Sequence, residues 1–106
     1  MLNRTNMTTI SISQPTSVEV KTISQEAVMI TWDEPTETGG TPIQKYRLRI
    51  AEKDSQGSPY TVDTADSKTF HRLKTPTTMQ GKDYTVTIQA INKDQKMSLV
   101  SEPAVF

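Results

Sequence analysis

The sequence predicts an all-β chain folded as a seven-stranded antiparallel sandwich. Three observations lead there. Apolar residues recur at every second position in several separate stretches, the spacing of a half-buried strand. Loops containing Gly, Pro, Asn and Asp divide those stretches. No window shows the three-and-four spacing of an amphipathic helix.

The strands follow in order. Residues 1–13 are rich in Thr, Asn and Ser and read as a tail or linker; residues 14–106 read as the domain. Val18 and Val20 alternate with Ser17, Glu19 and Lys21, which places a first strand at about residues 17–23. Ser24-Gln25-Glu26 marks the turn. Val28, Ile30 and Trp32 alternate with Met29 and Thr31 over residues 27–33. The loop from Asp33 to Pro42 carries Glu34-Pro35 and Gly39-Gly40-Thr41-Pro42; glycine permits positive φ there and proline cannot donate to a central ladder. Tyr46, Leu48 and Ile50 then alternate with Lys45, Arg47 and Arg49 over residues 43–52, and Tyr60 with Val62 over 59–64. A fifth strand is placed at 67–73, with its alternation broken because Phe70 and Leu73 stand three apart. Tyr84, Val86, Ile88 and Ala90 define a sixth at 83–92, and the last covers 98–105.

Bulk chemistry removes several function classes. The 106 residues fit one domain. Twelve basic residues balance twelve acidic ones, so no global field points to nucleic acid or an anionic membrane. Without cysteine there is no disulfide scaffold, thiol nucleophile or cysteine-zinc site. No run of about 18 apolar residues is present to span a bilayer. Residues 1–13 lack the apolar core of a signal peptide, so the expectation is an intracellular protein or, in preference, a piece of a longer chain.

Candidate chemistry is sparse. His71 is the sole histidine and reads as a solvated group rather than a general base. Asp33, Glu34 and Glu37 share a loop, but no calcium-ligand pattern follows them, and no metal or cofactor is expected. Lys45, Arg47 and Arg49 face outward from one strand as a basic stripe suited to a sulfated glycan or acidic partner. The competing reading is a solubilising face beside Glu52, Asp54 and Asp63. Ile91, Met97 and Met29 are candidate outward apolar residues. Asn3 and Asn6 open N-glycosylation patterns.

Taken in order, Pro15 with Val18 and Val20, Val28 to Pro35 around Trp32, Gly39 to Ile43 with Tyr46, Tyr84 to Asn92, and Ser98 to Pro103 resemble a fibronectin type III domain from about Pro15 to Phe106. The resemblance implies an immunoglobulin-like sandwich, with Trp32 in the core and the Tyr84 hydroxyl bonded to the preceding loop as a tyrosine corner. One position departs: Thr78, with Met79 beside it, stands where the family usually has leucine. The family layout puts the loops Asp33–Pro42 and Asn92–Met97 at one end, which makes Lys93, Asp94, Gln95 and Lys96 candidate partner-binding residues beside the stripe. The resemblance further implies a non-catalytic protein-interaction, adhesion or spacer module of a larger protein, at the cell surface, in matrix or in the cytoskeleton. Its partner would be another protein, without nucleic acid or membrane insertion. An accessory domain on an enzyme, for example a carbohydrate-active one, and a receptor-type ligand-binding domain are the alternatives.

Overall fold

The structure, a computed structural model, describes residues 11–53, 59–76 and 79–106. Asn3, Asn6 and Thr78 lie outside the described residues. Seven strands form: β1 (Thr16–Ser24), β2 (Ala27–Asp33), β3 (Ile43–Glu52), β4 (Tyr60–Asp63), β5 (Phe70–Lys74), β6 (Tyr84–Asn92) and β7 (Ala104–Val105). They divide into a three-stranded sheet, β1-β2-β5, and a four-stranded sheet, β4-β3-β6-β7. Every pairing is antiparallel.

Strict alternation in the sequence becomes the core. Val28, Ile30 and Trp32 from β2 face Tyr46, Leu48 and Ile50 from β3 and Val86, Ile88 and Ala90 from β6. Each large apolar side chain fully buried this way contributes roughly 1.5–3 kcal/mol. Trp32 meets Tyr46 edge to face, with ring centroids 5.2 Å apart. Tyr46 is fully buried, whereas Tyr84 sits at one end of the core and packs on Phe106 at 5.9 Å. The central aromatic pair is therefore Trp32 with Tyr46, while Tyr84 packs against the core from one pole. Ile12 is also buried; it bridges to Thr38 and joins the core cluster.

Three expected elements shift. The fifth strand starts later and aims His71, Leu73 and Thr75 inward, which leaves Phe70 half-exposed. Ile91 pairs with Lys45 and lies outside the core cluster, yet it is buried at 3% exposure on the outer face, where it bridges to Met97. The seventh strand shrinks to two residues. Ahead of it, Ser98 and Ser101 replace part of the ladder with side-chain bonds. The Ser98 hydroxyl accepts from Ala90 N–H and the Ser101 hydroxyl from Ile88 N–H, both at 2.9 Å. Their own N–H groups donate to Ala90 O and Ile88 O. Ala90 and Ile88 are two apart while the serines are three apart, so one extra residue bulges out of the returning segment.

The two sides of the sandwich differ. β1 lies against β7 and closes one side. On the other, β4 and β5 are the free edges of their sheets, and a cavity of about 680 Å³ opens between them.

Candidate functional site

One pole of the sandwich is built around Asn92. Its side chain is fully buried at the end of β6. Nδ2–H donates to Thr38 O at 2.9 Å, while Oδ1 accepts from Asp94 N–H and Lys96 N–H at 3.0 Å each. Lys93 N–H donates to Pro42 O, so the loop after β2 and the loop after β6 form one joined surface. Gly39 lets them close. Its φ is +78°, and a Cβ there would stand 2.8 Å from Ile12 Cγ1 and 2.9 Å from Asn92 Nδ2. Gln95 also has positive φ, and its amide donates to Gln44 Oε1 at 2.9 Å. Lys93, Asp94, Gln95 and Lys96 are all exposed on this rigid turn.

Two cations of the basic stripe share one carboxylate. Arg47 donates to both oxygens of Asp63 across the β3–β4 pair, at 2.8 and 3.1 Å. Lys45 reaches the same carboxylate at 3.0 Å. The Arg47 hydrogen bonds, with Lys45 beside them, hold the Asp63 carboxyl down to about 2. Arg49 is the exposed member of the stripe and has no ion pair among the described residues. The stripe therefore presents one uncommitted cation where the sequence suggests three.

His71 is not the solvated group expected from sequence. Its place on the inward side of β5 makes it half-buried, and desolvation pulls its pKa below the ordinary histidine value. It lines the cavity between β4 and β5 with Ile50, Val62, Leu73, Met79 and Tyr84. Tyr60 stands at its margin, 58% exposed, whereas Phe70, 49% exposed, lines a separate hollow beside Trp32. Sequence reasoning misses the cavity surface because Tyr60 falls on a periodic strand position and reads as core. Among the described residues no group of three His, Asp or Glu side chains is placed to hold a metal ion, and Asp33, Glu34 and Glu37 do not converge into one. No helix of the described residues is long and apolar enough to cross a membrane. The Tyr84 N–H and C=O pair with Phe106; the expected tyrosine-corner bond would run into a loop that includes residues outside the described set.

The family model described as "Fibronectin type III domain" matches residues 13–105. A solved structure titled "Myokine structure" superposes with a TM-score of 0.73 at 23% identity, covering 91% of this chain and 96% of that one. The twitchin kinase region from C. elegans gives a TM-score of 0.74 at 25% identity; 89% of this chain is covered but only 16% of that one. The FN5 domain of Drosophila Lar gives 0.66 at 16% identity, covering 90% and 94%.

Proposed function

The chain belongs to the fibronectin type III family, and on that premise we propose that it is a non-catalytic interaction and spacer module of a larger multidomain protein. One observation carries this reading. Ile12 sits by Thr38 and Asn92 at one end of β6, while Phe106 pairs with Tyr84 at the other. Residues 12 and 106 thus lie at opposite poles of a nine-residue strand, roughly 27 Å apart at 3.3–3.4 Å per residue. A packed core fixes that separation, and the pole around Asn92 holds its two loops in one conformation for recognition. Lys93, Asp94, Gln95, Lys96 and Arg49 are the side chains offered from it and from the neighbouring face; Lys45 and Arg47 serve mainly to lock β3 to β4.

The absence of cysteine makes a direct test simple. Dyes placed through Ser11→Cys and Val105→Cys should report a single narrow distance distribution by fluorescence energy transfer. A broad distribution under native conditions would remove the spacer reading.

A second reading has one supporting observation. In the twitchin kinase region and in "Titin kinase and its flanking domains", this chain's counterpart covers 16% and 17% of a longer polypeptide whose title names a kinase. The module then serves as an accessory domain beside an enzyme. Sequencing through both flanks of the chain separates the two readings.

A further inference from the structure

We propose that the open edge of β5 is a strand-addition site for an extended acidic segment of a partner protein, whose carboxylates meet Arg72 and Lys74 while its alternate apolar side chains enter the cavity between β4 and β5. This rests on the interaction reading above and gives that reading a partner chemistry.

The parity of the β2–β5 ladder defines the edge. Trp32 N–H donates to Thr69 O and Thr75 N–H donates to Glu26 O. In an antiparallel pair the backbone groups alternate in direction, so positions 69, 71, 73 and 75 address β2. Phe70, Arg72 and Lys74 turn their N–H and C=O groups the other way. Among the described residues no strand lies beyond β5 in its sheet, and no backbone bond uses those groups. An unpaired edge of this kind is a template for another strand.

Side chains specify what fits. A strand added about 4.8 Å from β5 would lie along the mouth of the cavity. Side chains level with His71 and Leu73 would point inward, towards Ile50, Val62, Met79 and Tyr84. Those level with Arg72 and Lys74 would stand beside two exposed cations, neither of which is ion-paired among the described residues. Opposite charges in such cross-strand positions stabilise and like charges destabilise. A second copy of this chain pairing antiparallel about Arg72 would set Arg72 against Arg72, so the same cations that admit an acidic strand reject self-pairing. The β4 edge is less suited: it is four residues long and is preceded by Pro59, which has no N–H to give.

The test uses the chain with a capped eight-residue peptide alternating valine and glutamate, and a second alternating valine and lysine. The expected result is slowed amide exchange at Phe70, Arg72 and Lys74 with the glutamate peptide alone. Reversing both charges, R72E with K74E, should weaken that peptide about tenfold or more and admit the lysine peptide. Arg72→Pro, which removes an outward N–H without touching the β2 ladder, should also weaken it while thermal unfolding stays cooperative. Unprotected amides at millimolar peptide, equal affinity for both peptides, or an edge already protected in a dimer seen by sedimentation would each overturn the proposal. If the dye-labelled chain keeps its single distance while the amides stay unprotected, the edge site alone is lost and the spacer reading stands.

Discussion

The Asn92 side chain donates to the Thr38 carbonyl at 2.9 Å from a fully buried position, and that bond joins the two loops of one pole. Asn92→Ala removes this bond and the two that Oδ1 accepts, stranding Asp94 and Lys96 N–H groups with the Thr38 carbonyl. An unsatisfied buried polar group costs about 1–3 kcal/mol. The expected loss is about 2–4 kcal/mol, read from the urea midpoint. Gly39→Ala should reach the same range by a different route, since the added Cβ meets both Ile12 and Asn92 at a positive φ. A shift below about 0.5 kcal/mol in either would contradict the joined pole.

The two buried serines ahead of β7 offer a sharper comparison. Ser98→Ala leaves Ala90 N–H without its acceptor, and Ser101→Ala does the same to Ile88 N–H. Each should cost about 1–3 kcal/mol by equilibrium unfolding, and the amides of Ala90 and Ile88 should exchange faster. Ser→Thr at either site retains the hydroxyl and tests whether the oxygen or the volume matters.

Acid stability should fall in two windows. The folded pKa of Asp63 is depressed to about 2 from an ordinary 3.8, so its contribution is present above pH 3.8 and is lost as pH drops towards 2. His71 is also depressed, in its case from 6.5, because burial disfavours the imidazolium. Its protonation therefore opposes the folded state as pH falls below 6.5. Asp63→Asn should flatten the lower window and His71→Leu the upper one in a plot of melting temperature against pH. An unchanged profile in either variant would contradict the corresponding assignment. The Asp63 cluster is partly solvated, so its total effect near neutral pH is expected to be about 1 kcal/mol.

Tyr46 should ionise late. Burial, reinforced by the charge of Glu34, pushes its hydroxyl up to about 12. Ultraviolet titration should show a tyrosine that ionises about two pH steps after the ordinary value, and Tyr46→Phe should abolish that late phase. Because the hydroxyl is buried without a hydrogen-bond partner among the described residues, Tyr46→Phe should leave stability unchanged or raise it by about 1 kcal/mol. Trp32→Ala, by contrast, should cost about 3–5 kcal/mol.

Much of the fold is legible in the residues themselves. β2, β3 and β6 alternate strictly, and their apolar halves became the core with boundaries within a residue of expectation. Phe70 misleads because size suggests burial, whereas the pairing of His71 with Ile30 and Leu73 with Val28 sets the opposite parity. The closing segment misleads in another way. Ser98 and Ser101 look like loop residues, and only their positions under β6 reveal that hydroxyls stand in for backbone groups. The β5 edge is invisible for a deeper reason: which N–H groups point outward depends on the hydrogen-bonding phase of a strand pair, and composition carries no record of phase. The Lys45 and Arg47 stripe is more legible: the sequence already suggests Asp63 as its neighbour, and the sheet sets that residue directly opposite Arg47, sixteen positions away in the chain.

The brevity of β7 has a mechanical consequence. It runs antiparallel to β6 and meets it in two register pairs, Thr85 with Val105 and Val86 with Ala104, with the Tyr84–Phe106 backbone bonds beyond them. A pull at Phe106 away from the Tyr84 pole is directed along that strand, so those rungs and the serine hydroxyls behind them bear the load side by side. Under tension the closing segment would slip first, and the force at which it yields follows the height of that kinetic barrier and not the resting free energy of the fold.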